Sequence, residues 1–387
     1  VFFFFFSARL FDARGAVLPP TTGGGVITDS PSGAALAQAL AQPGAPFRIG
    51  GDGPAPTGFG CFETLTSGSS GLPRRISRTM ASWTGSFAVN AGLFSIAPGS
   101  RIAVLGRLVH SLALYGALEA LHLGADLHLL DHLRPGRQRA ALASIRVDLL
   151  YATPAQLRLL VEAGGPPLPD LRWIIIGGSK LDPGLRRALA LITSAQLREF
   201  YGAAEASFIT LADVQTPPDS VGRAYPGVEI AIRRQDASGL GQIWVRSPYL
   251  FAGYSGQDQG NAIWDQDWLC VGEVGRLVGD CLYLAGRAGR MVTVADQNVF
   301  PEEIESFMAG LPGVQQVAVL PQPDDLRGAV LIAVVQGDAN AAEAILAACR
   351  ARLGSLKAPR RLIWRTDWPT LPSGKTDLVR LTQEVSG

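Results

Sequence analysis

Hydrophobic patterning sharpens after Arg101. The runs RIAVLG (101–106), ADLHLL (125–130), VDLLYA (147–152) and RWIIIGG (172–178) are short, apolar and bounded by turn-forming residues. Such runs suit strands buried on both faces of a parallel sheet. Between them lie HSLALYGALEALHLG (110–124) and TPAQLRLLVEAG (153–164), which repeat at helical spacing. Strand alternating with helix predicts α/β layers. Beyond Thr216 the pattern changes. GRAYPGVEIAIRR (222–234), GQIWVRSPYLFAGY (241–254) and GRLVGDCLYLAGR (275–287) predict strands and hairpins. From 301 to 335 the sequence reads as helix, strand, turn, strand, and 339–354 as a helix. The expected architecture is therefore a large α/β N-terminal domain, residues 1–287, with a β-rich subdomain. A small mobile α+β C-terminal domain, residues 288–387, follows a joint near GRAGRM (286–291).

The first 60 residues are rich in glycine and proline, and LPPTTGGGVITDSPSG (18–33) reads as loop. GAALAQALAQ (33–42) reads as a short helix, and VFFFFFSARLF (1–11) as a buried first strand, its apolar run being too short and lacking a basic flank for a signal peptide. Residues 79–100 are uncharged but rich in Ser, Thr, Gly and Asn, so no membrane span is expected.

The chain has 387 residues, 47% hydrophobic and 17% charged, with 34 basic against 33 acidic side chains. That balance gives no support to a nucleic-acid or polybasic membrane partner. Cys61, Cys270, Cys281 and Cys349 are scattered with no C-x-x-C pair, which points to neither a zinc ribbon nor a dithiol centre and suggests a reducing, cytoplasmic setting.

One stretch carries chemistry by itself. TLTSGSSGLPRR (64–75) crowds hydroxyls and bare amides beside two arginines. Glycines let the backbone approach a polyphosphate, amides and hydroxyls donate to its oxygens, and arginine grips two oxygens at once. Thr66, Ser67, Gly68, Ser69, Ser70 and Gly71, with Arg74, are candidates for such a loop; a solvent loop is the competing reading. GxxxxGK[ST] and GxSxG are both absent here, so neither a P-loop nor an esterase elbow is suggested.

TSGSSGLPR resembles the phosphate-loop signature of the adenylate-forming superfamily, the acyl-CoA synthetases, peptide-synthetase adenylation domains and luciferases. Further resemblances follow in order: LVHSLALYG (108–116), IIIGGSKL (174–181), EFYGAAEAS (199–207), VGRAYPGVEI (221–230) with GQIWVRSPYLFAGY, WLCVGEVGRL (268–277), LAGRAGRMVTVADQNVFPEEIE (284–305) and PTLPSGKTDL (369–378). They run from about Gly60 to the end of the chain; the family's own N-terminal portion is longer than the residues preceding this point.

The resemblance implies two half-reactions. A carboxylate attacks the α-phosphate of ATP to give acyl-AMP, and a thiol, of CoA or of a carrier protein, then displaces AMP. It implies that Lys375 bridges carboxylate and α-phosphate, that Glu205 binds Mg²⁺ and that His110 gates acyl pocket and phosphate. Tyr201 would lie against adenine, with Gly177, Gly178, Ser179, Gly202, Ala203 and Ala204 around the nucleotide. Glu273 and Arg287 would contact the ribose, and Arg290 would sit at the joint about which the C-terminal domain swings. Each residue also has a plainer reading as a solvated or core side chain. His122, His128 and His132 lack a helical HExxH pattern and are not read as a metal site. The chain departs from the family pattern at Arg74 (lysine), Ala204 (threonine), Glu273 (aspartate) and Ala295/Asp296 (a Gly-rich turn). Leu112, Leu114, Tyr115 and Phe208 suggest a hydrophobic or aromatic acid. The expected activity is an AMP-forming carboxylate–CoA ligase; a carrier-protein-loading adenylate ligase and a non-catalytic nucleotide or acyl binder remain the alternatives.

Overall fold

The computed structural model describes residues 10–11, 25–65, 74–255, 262–295, 297–371 and 375–386. The apolar runs form the parallel sheet that the pattern predicts. Leu10–Phe11, Asp126–Leu129, Arg101–Val104, Leu149–Ala152, Trp173–Ile176 and Gln196–Ala203 lie side by side in that order, each pair parallel. Successive residues of a strand enter different cores: Ile102 and Val104 join one cluster, Ala103 the other. Helices on both faces explain why these strands are apolar throughout rather than alternating. Pro154–Glu162 starts with a full capping box, Thr153 with Gln156, and Pro183–Ala190 starts on the Asp182 side chain.

At Gln196–Ala203 the sheet changes character. This strand pairs in parallel with Trp173–Ile176 and antiparallel with Ser207–Leu211. Antiparallel strands continue through Arg223–Ala224, Cys281–Arg287, Trp268–Val278, Gly241–Arg246 and Glu229–Arg233. A second sheet orders Gly253–Tyr254, Arg75–Thr79, Cys61–Leu65, Phe47–Ile49 and Gly25–Ile27. The last of these falls within a stretch read from sequence as loop. Three residues paired in parallel with Phe47–Ile49 are too few to show an alternation. Residues 79–100 form the helix Ala81–Phe94, whose Ser82, Ser86 and Asn90 are buried.

The C-terminal segments build a sheet of Val314–Asp324, Gly328–Gly337 and Leu362–Arg365, covered by the helices Pro301–Ala309, Ala342–Lys357 and Leu378–Ser386. Ile304, Met308, Leu331 and Ile345 belong to one of its own apolar clusters. Among the described residues no helix is long and apolar enough to cross a membrane.

Candidate active site

Thr66, Ser67, Gly68, Ser69, Ser70 and Gly71 lie outside the described residues, as does Asp296; the frame that holds the loop's ends is described. Cys61–Leu65 and Arg75–Thr79 pair antiparallel with Leu65 opposite Arg75. Leu65 also bridges to His110, its N–H donating to the Val109 carbonyl at 3.3 Å. Ser111 Oγ donates to Thr64 Oγ1 at 2.9 Å. His110, at the N-cap of helix Ser111–His122, therefore stands at the root of the loop. Burial first, then Arg107 and Lys375, push its pKa below the ordinary histidine value against Asp29. The balance favours the uncharged imidazole.

The strand ends supply a second wall. Gly177, Gly178 and Ser179 follow Trp173–Ile176. A Cβ on Gly177 would lie 2.3 Å from the Phe200 ring, so any side chain there would have to displace that ring. Tyr201, Gly202 and Ala203 end one arm of a hairpin, and Ala204 and Glu205 form its turn. A Cβ on Gly202 would meet the Ser207 carbonyl at 2.1 Å. Glu205 is half-buried. Its Oε1 accepts from Tyr254 Oη at 2.8 Å, and its carbonyl accepts from Phe251 N–H at 2.8 Å. Tyr254 also hydrogen-bonds Arg74; burial and the Glu205 charge push its phenol upward. It thus ties the loop's arginine to the glutamate. The sequence stretch 241–254 contained Tyr254, yet nothing in the local pattern assigned it a task.

Glu273 and Arg287 face each other on paired strands. Tyr201 Oη donates to Glu273 Oε2 at 2.7 Å, and Arg287 Nε stands 3.7 Å from Glu273 Oε1. Burial pushes the Glu273 carboxyl above its usual range, while Tyr201, Arg287 and Lys375 act against it. Lys375 comes from the far end of the chain. Loss of water around its ammonium lowers its pKa, Arg287 lowers it further, and Glu273 and Glu205 oppose both. Arg74, His110, Tyr201, Glu205, Glu273, Arg287 and Lys375 are therefore one electrostatically coupled group, drawn from five widely separated stretches of chain.

Arg290 stands apart from them. It grips both oxygens of Glu305 at 2.8 and 3.1 Å, pairs with Glu302 at 3.3 Å and donates to the Val319 carbonyl at 3.1 Å. Ala295 takes a left-handed φ of 44°, so the turn keeps a glycine-like conformation without glycine. Leu114, Tyr115 and Phe208, read from sequence as pocket residues, are at most 4% exposed. Tyr115 packs edge-on to Trp83, Phe87 and Phe208, and its hydroxyl accepts from Asn90 at 3.1 Å. They are core rather than open lining. No group of three His, Cys, Asp or Glu side chains able to hold a metal occurs among the described residues.

Two carboxylates, two arginines and an ammonium brought together suit the handling of a phosphate ester beside a second anion. The AMP-binding enzyme family model matches residues 61–255, and that of the AMP-binding enzyme C-terminal domain matches 303–375. An uncharacterised acyl–CoA ligase of Bacillus subtilis is 32% identical over 323 residues, 81% of this chain and 66% of that protein. A long-chain fatty-acid–CoA ligase of Mycobacterium tuberculosis is 26% identical over 399 residues, covering 98% of this chain and 77% of that protein. The o-succinylbenzoate coenzyme A synthetase of Bacillus subtilis, solved with ATP and magnesium, superposes with a TM-score of 0.73 at 22% identity, over 83% of this chain and 69% of that one. The chain spans about two thirds of the length of the first curated relatives it matches. With the motifs in order on a shared fold, the chain belongs to the AMP-binding enzyme family of the adenylate-forming superfamily.

Proposed function

We propose that the chain is an AMP-forming carboxylate–CoA ligase. It would join a hydrophobic or aromatic acid to AMP, then pass the acyl group to the thiol of CoA; with Leu114, Tyr115 and Phe208 in the core, the acid class leans on the related long-chain fatty-acid–CoA ligase instead. The reading rests on one observation above all: Lys375, from the C-terminal unit, stands within electrostatic reach of Glu205, Glu273 and Arg287. In the first step a carboxylate oxygen bonds to the α-phosphorus and the bond to pyrophosphate breaks. Two anions must meet, so the barrier falls through positioning and through cations set where negative charge builds. Lys375 provides the cation at the α-phosphate. Arg74 and the hydroxyl-rich loop hold the outer phosphates. Tyr201 and Glu273 orient the nucleoside, with Arg287 at the ribose, and uncharged His110 separates acid from phosphate.

Glu205 offers a hard oxygen donor, and magnesium often binds through one or two carboxylates together with substrate phosphates; the residues present fit that ion. When bound, it would neutralise charge on the phosphate oxygens. In the second step the thiol attacks the acyl carbon and AMP leaves. We place the domain boundary at 287/288 and assign the change of step to a swing of residues 288–387. The names of the related ligases support CoA as acceptor, and the four free cysteines fit a cytoplasmic setting. Acid-dependent exchange of pyrophosphate into ATP, run over a panel of acids, is the test. At least one acid should support exchange, and Lys375→Ala should reduce it roughly 100-fold or more, the scale of losing one charge-stabilising donor. ATP binding with no exchange for any acid would favour a nucleotide-binding protein. Exchange with transfer to a holo-carrier but not to CoA would favour the loading enzyme.

A further inference from the structure

We propose that Arg78 is a positioning residue for the metal–nucleotide end of the site, fixing the turn that presents Glu205. The inference rests on the Mg·ATP reading above. Arg78 lies in strand Arg75–Thr79 and is 1% exposed. Its Nε and Nη2 both donate to the Ala204 carbonyl, at 3.2 and 2.6 Å. Its Nη1 donates to the Tyr249 carbonyl at 2.9 Å and to Ser82 Oγ at 3.3 Å. The guanidinium also lies 5.7 Å from the centre of the Trp83 ring, and Trp83 Nε1 donates to Ser207 Oγ at 3.0 Å. Ser207 carries a left-handed φ of 58°. Both ends of the Ala204–Ser207 turn are thus held from one place.

A buried charge is costly unless its donors are satisfied, and an apolar side chain of similar volume would fill the same core space without that cost. The placement of this charge gives it a use. Two of its donors converge on the carbonyl immediately before Glu205, and its charge offsets the half-buried Glu205 carboxylate. The same strand carries Arg74 at its root, and it pairs through Ile76 with Tyr254, whose hydroxyl holds Glu205 from the other side. One five-residue strand therefore sets the loop cation, the tyrosine and the glutamate in register with each other. Without Arg78, Glu205 would keep its chemistry and lose its aim.

The test is calorimetric binding of two ligands, ATP with Mg²⁺ and AMP without metal, alongside thermal midpoints. Arg78→Met should weaken Mg·ATP binding about 10-fold or more, the scale of losing hydrogen bonds to a charged group. AMP affinity should stay within roughly threefold, because the aim of Glu205 matters only to the metal-bearing phosphates. Should Arg78→Met fail to fold, Arg78→Lys carries the comparison, since it keeps a charge but cannot serve both carbonyls. Tyr254→Phe, which removes a hydroxyl and no core volume, should weaken Mg·ATP selectively too. Combined with an Arg78 variant, it should add less than its separate effect, because both residues act on Glu205. Equal loss of the two ligands in Arg78→Lys, or loss of neither, overturns the proposal. A wild-type protein that binds AMP and ATP equally with and without Mg²⁺ overturns the metal reading and this inference with it.

Discussion

At the scale of single residues, the ammonium of Lys375 feels Arg287, Glu273 and Glu205. On the ligase reading it would act only while protonated, so adenylation would be present below its pKa and lost as pH rises through it. Burial and then Arg287 hold that pKa below the ordinary 10.5, while Glu273 and Glu205 pull it back up. The alkaline limb of pyrophosphate exchange should therefore fall below pH 10.5. Glu273→Gln removes a raising charge and should move the limb to lower pH; Arg287→Gln removes a lowering one and should move it higher. A limb at the same pH in all three proteins would show that another group controls it. The resemblance carried by PTLPSGKTDL and EFYGAAEAS singled out Lys375 and Glu205, and the structure brings the two within electrostatic reach of each other. Arg78 was not legible, because a basic residue in the short run RISRT gives no sign that it faces inward. Its role depends on a turn 126 residues further along the chain.

At the scale of elements, the hairpin joining Gln196–Ala203 to Ser207–Leu211 carries Tyr201 and Glu205, and its geometry requires Gly202. Gly202→Ala would press a methyl against the Ser207 carbonyl. We expect a cost of about 1–3 kcal/mol in stability, the usual price of overpacking, and weaker AMP binding as Tyr201 shifts; unchanged thermal midpoint and affinity would refute this. Beneath the hairpin, the helices Ala81–Phe94 and Ser111–His122 meet through a buried polar network. Glu119 accepts from Asn90 at 2.7 Å and from the Tyr151 hydroxyl, and Tyr225 donates to Asn90 Oδ1 at 2.7 Å. Burial pushes the Glu119 carboxyl from 4.5 up to about 7. Between those values the folded state keeps a proton that the unfolded chain releases. Stability should accordingly fall as pH rises through this window and level off above it, by on the order of 3 kcal/mol. Denaturant midpoints from pH 4.5 to 8 should show this slope, flattened in Glu119→Gln; equal slopes would deny the network its role. The strands of the parallel sheet were legible because burial on both faces leaves continuous apolar runs. This network was not, since a lone Glu in HSLALYGALEALHLG reads equally as a solvated helix face. Tyr115 and Phe208 were misassigned to the pocket for a related reason: apolar character marks burial but does not say whether the space beside it is filled.

At the scale of the whole molecule, the apolar cores divide cleanly. Buried members of the first two clusters extend no further than Leu282, and those of the other two begin at Val294. Across the division, helix Pro301–Ala309 meets strand Cys281–Arg287: Phe300 packs beside Gly286, and Arg287 N–H donates to Glu302 Oε1 at 3.4 Å, while Lys375 comes within electrostatic reach of Glu205, Glu273 and Arg287. Glu302 Oε2 is buried with no hydrogen-bond partner among the described residues. That is a poor bond for a permanent seam and a cheap one to break. Arg290 moves with the C-terminal side, because Glu302, Glu305 and Val319 all hold it there. Any rotation must then fall on the few bonds between Arg287 and Arg290, where Gly289 has open space around its Cα. Separate cores joined through so short a link are what the proposed swing would need. Two measurements follow. Protease should nick the free protein within residues 287–292, at a rate that changes when a non-hydrolysable acyl-adenylate analogue is bound. A chain ending at Arg287 should melt cooperatively and bind AMP, yet fail at pyrophosphate exchange because it lacks Lys375. If that shortened chain cannot fold, the two units depend on each other for stability, and the proposed swing of one about the other is no longer tenable.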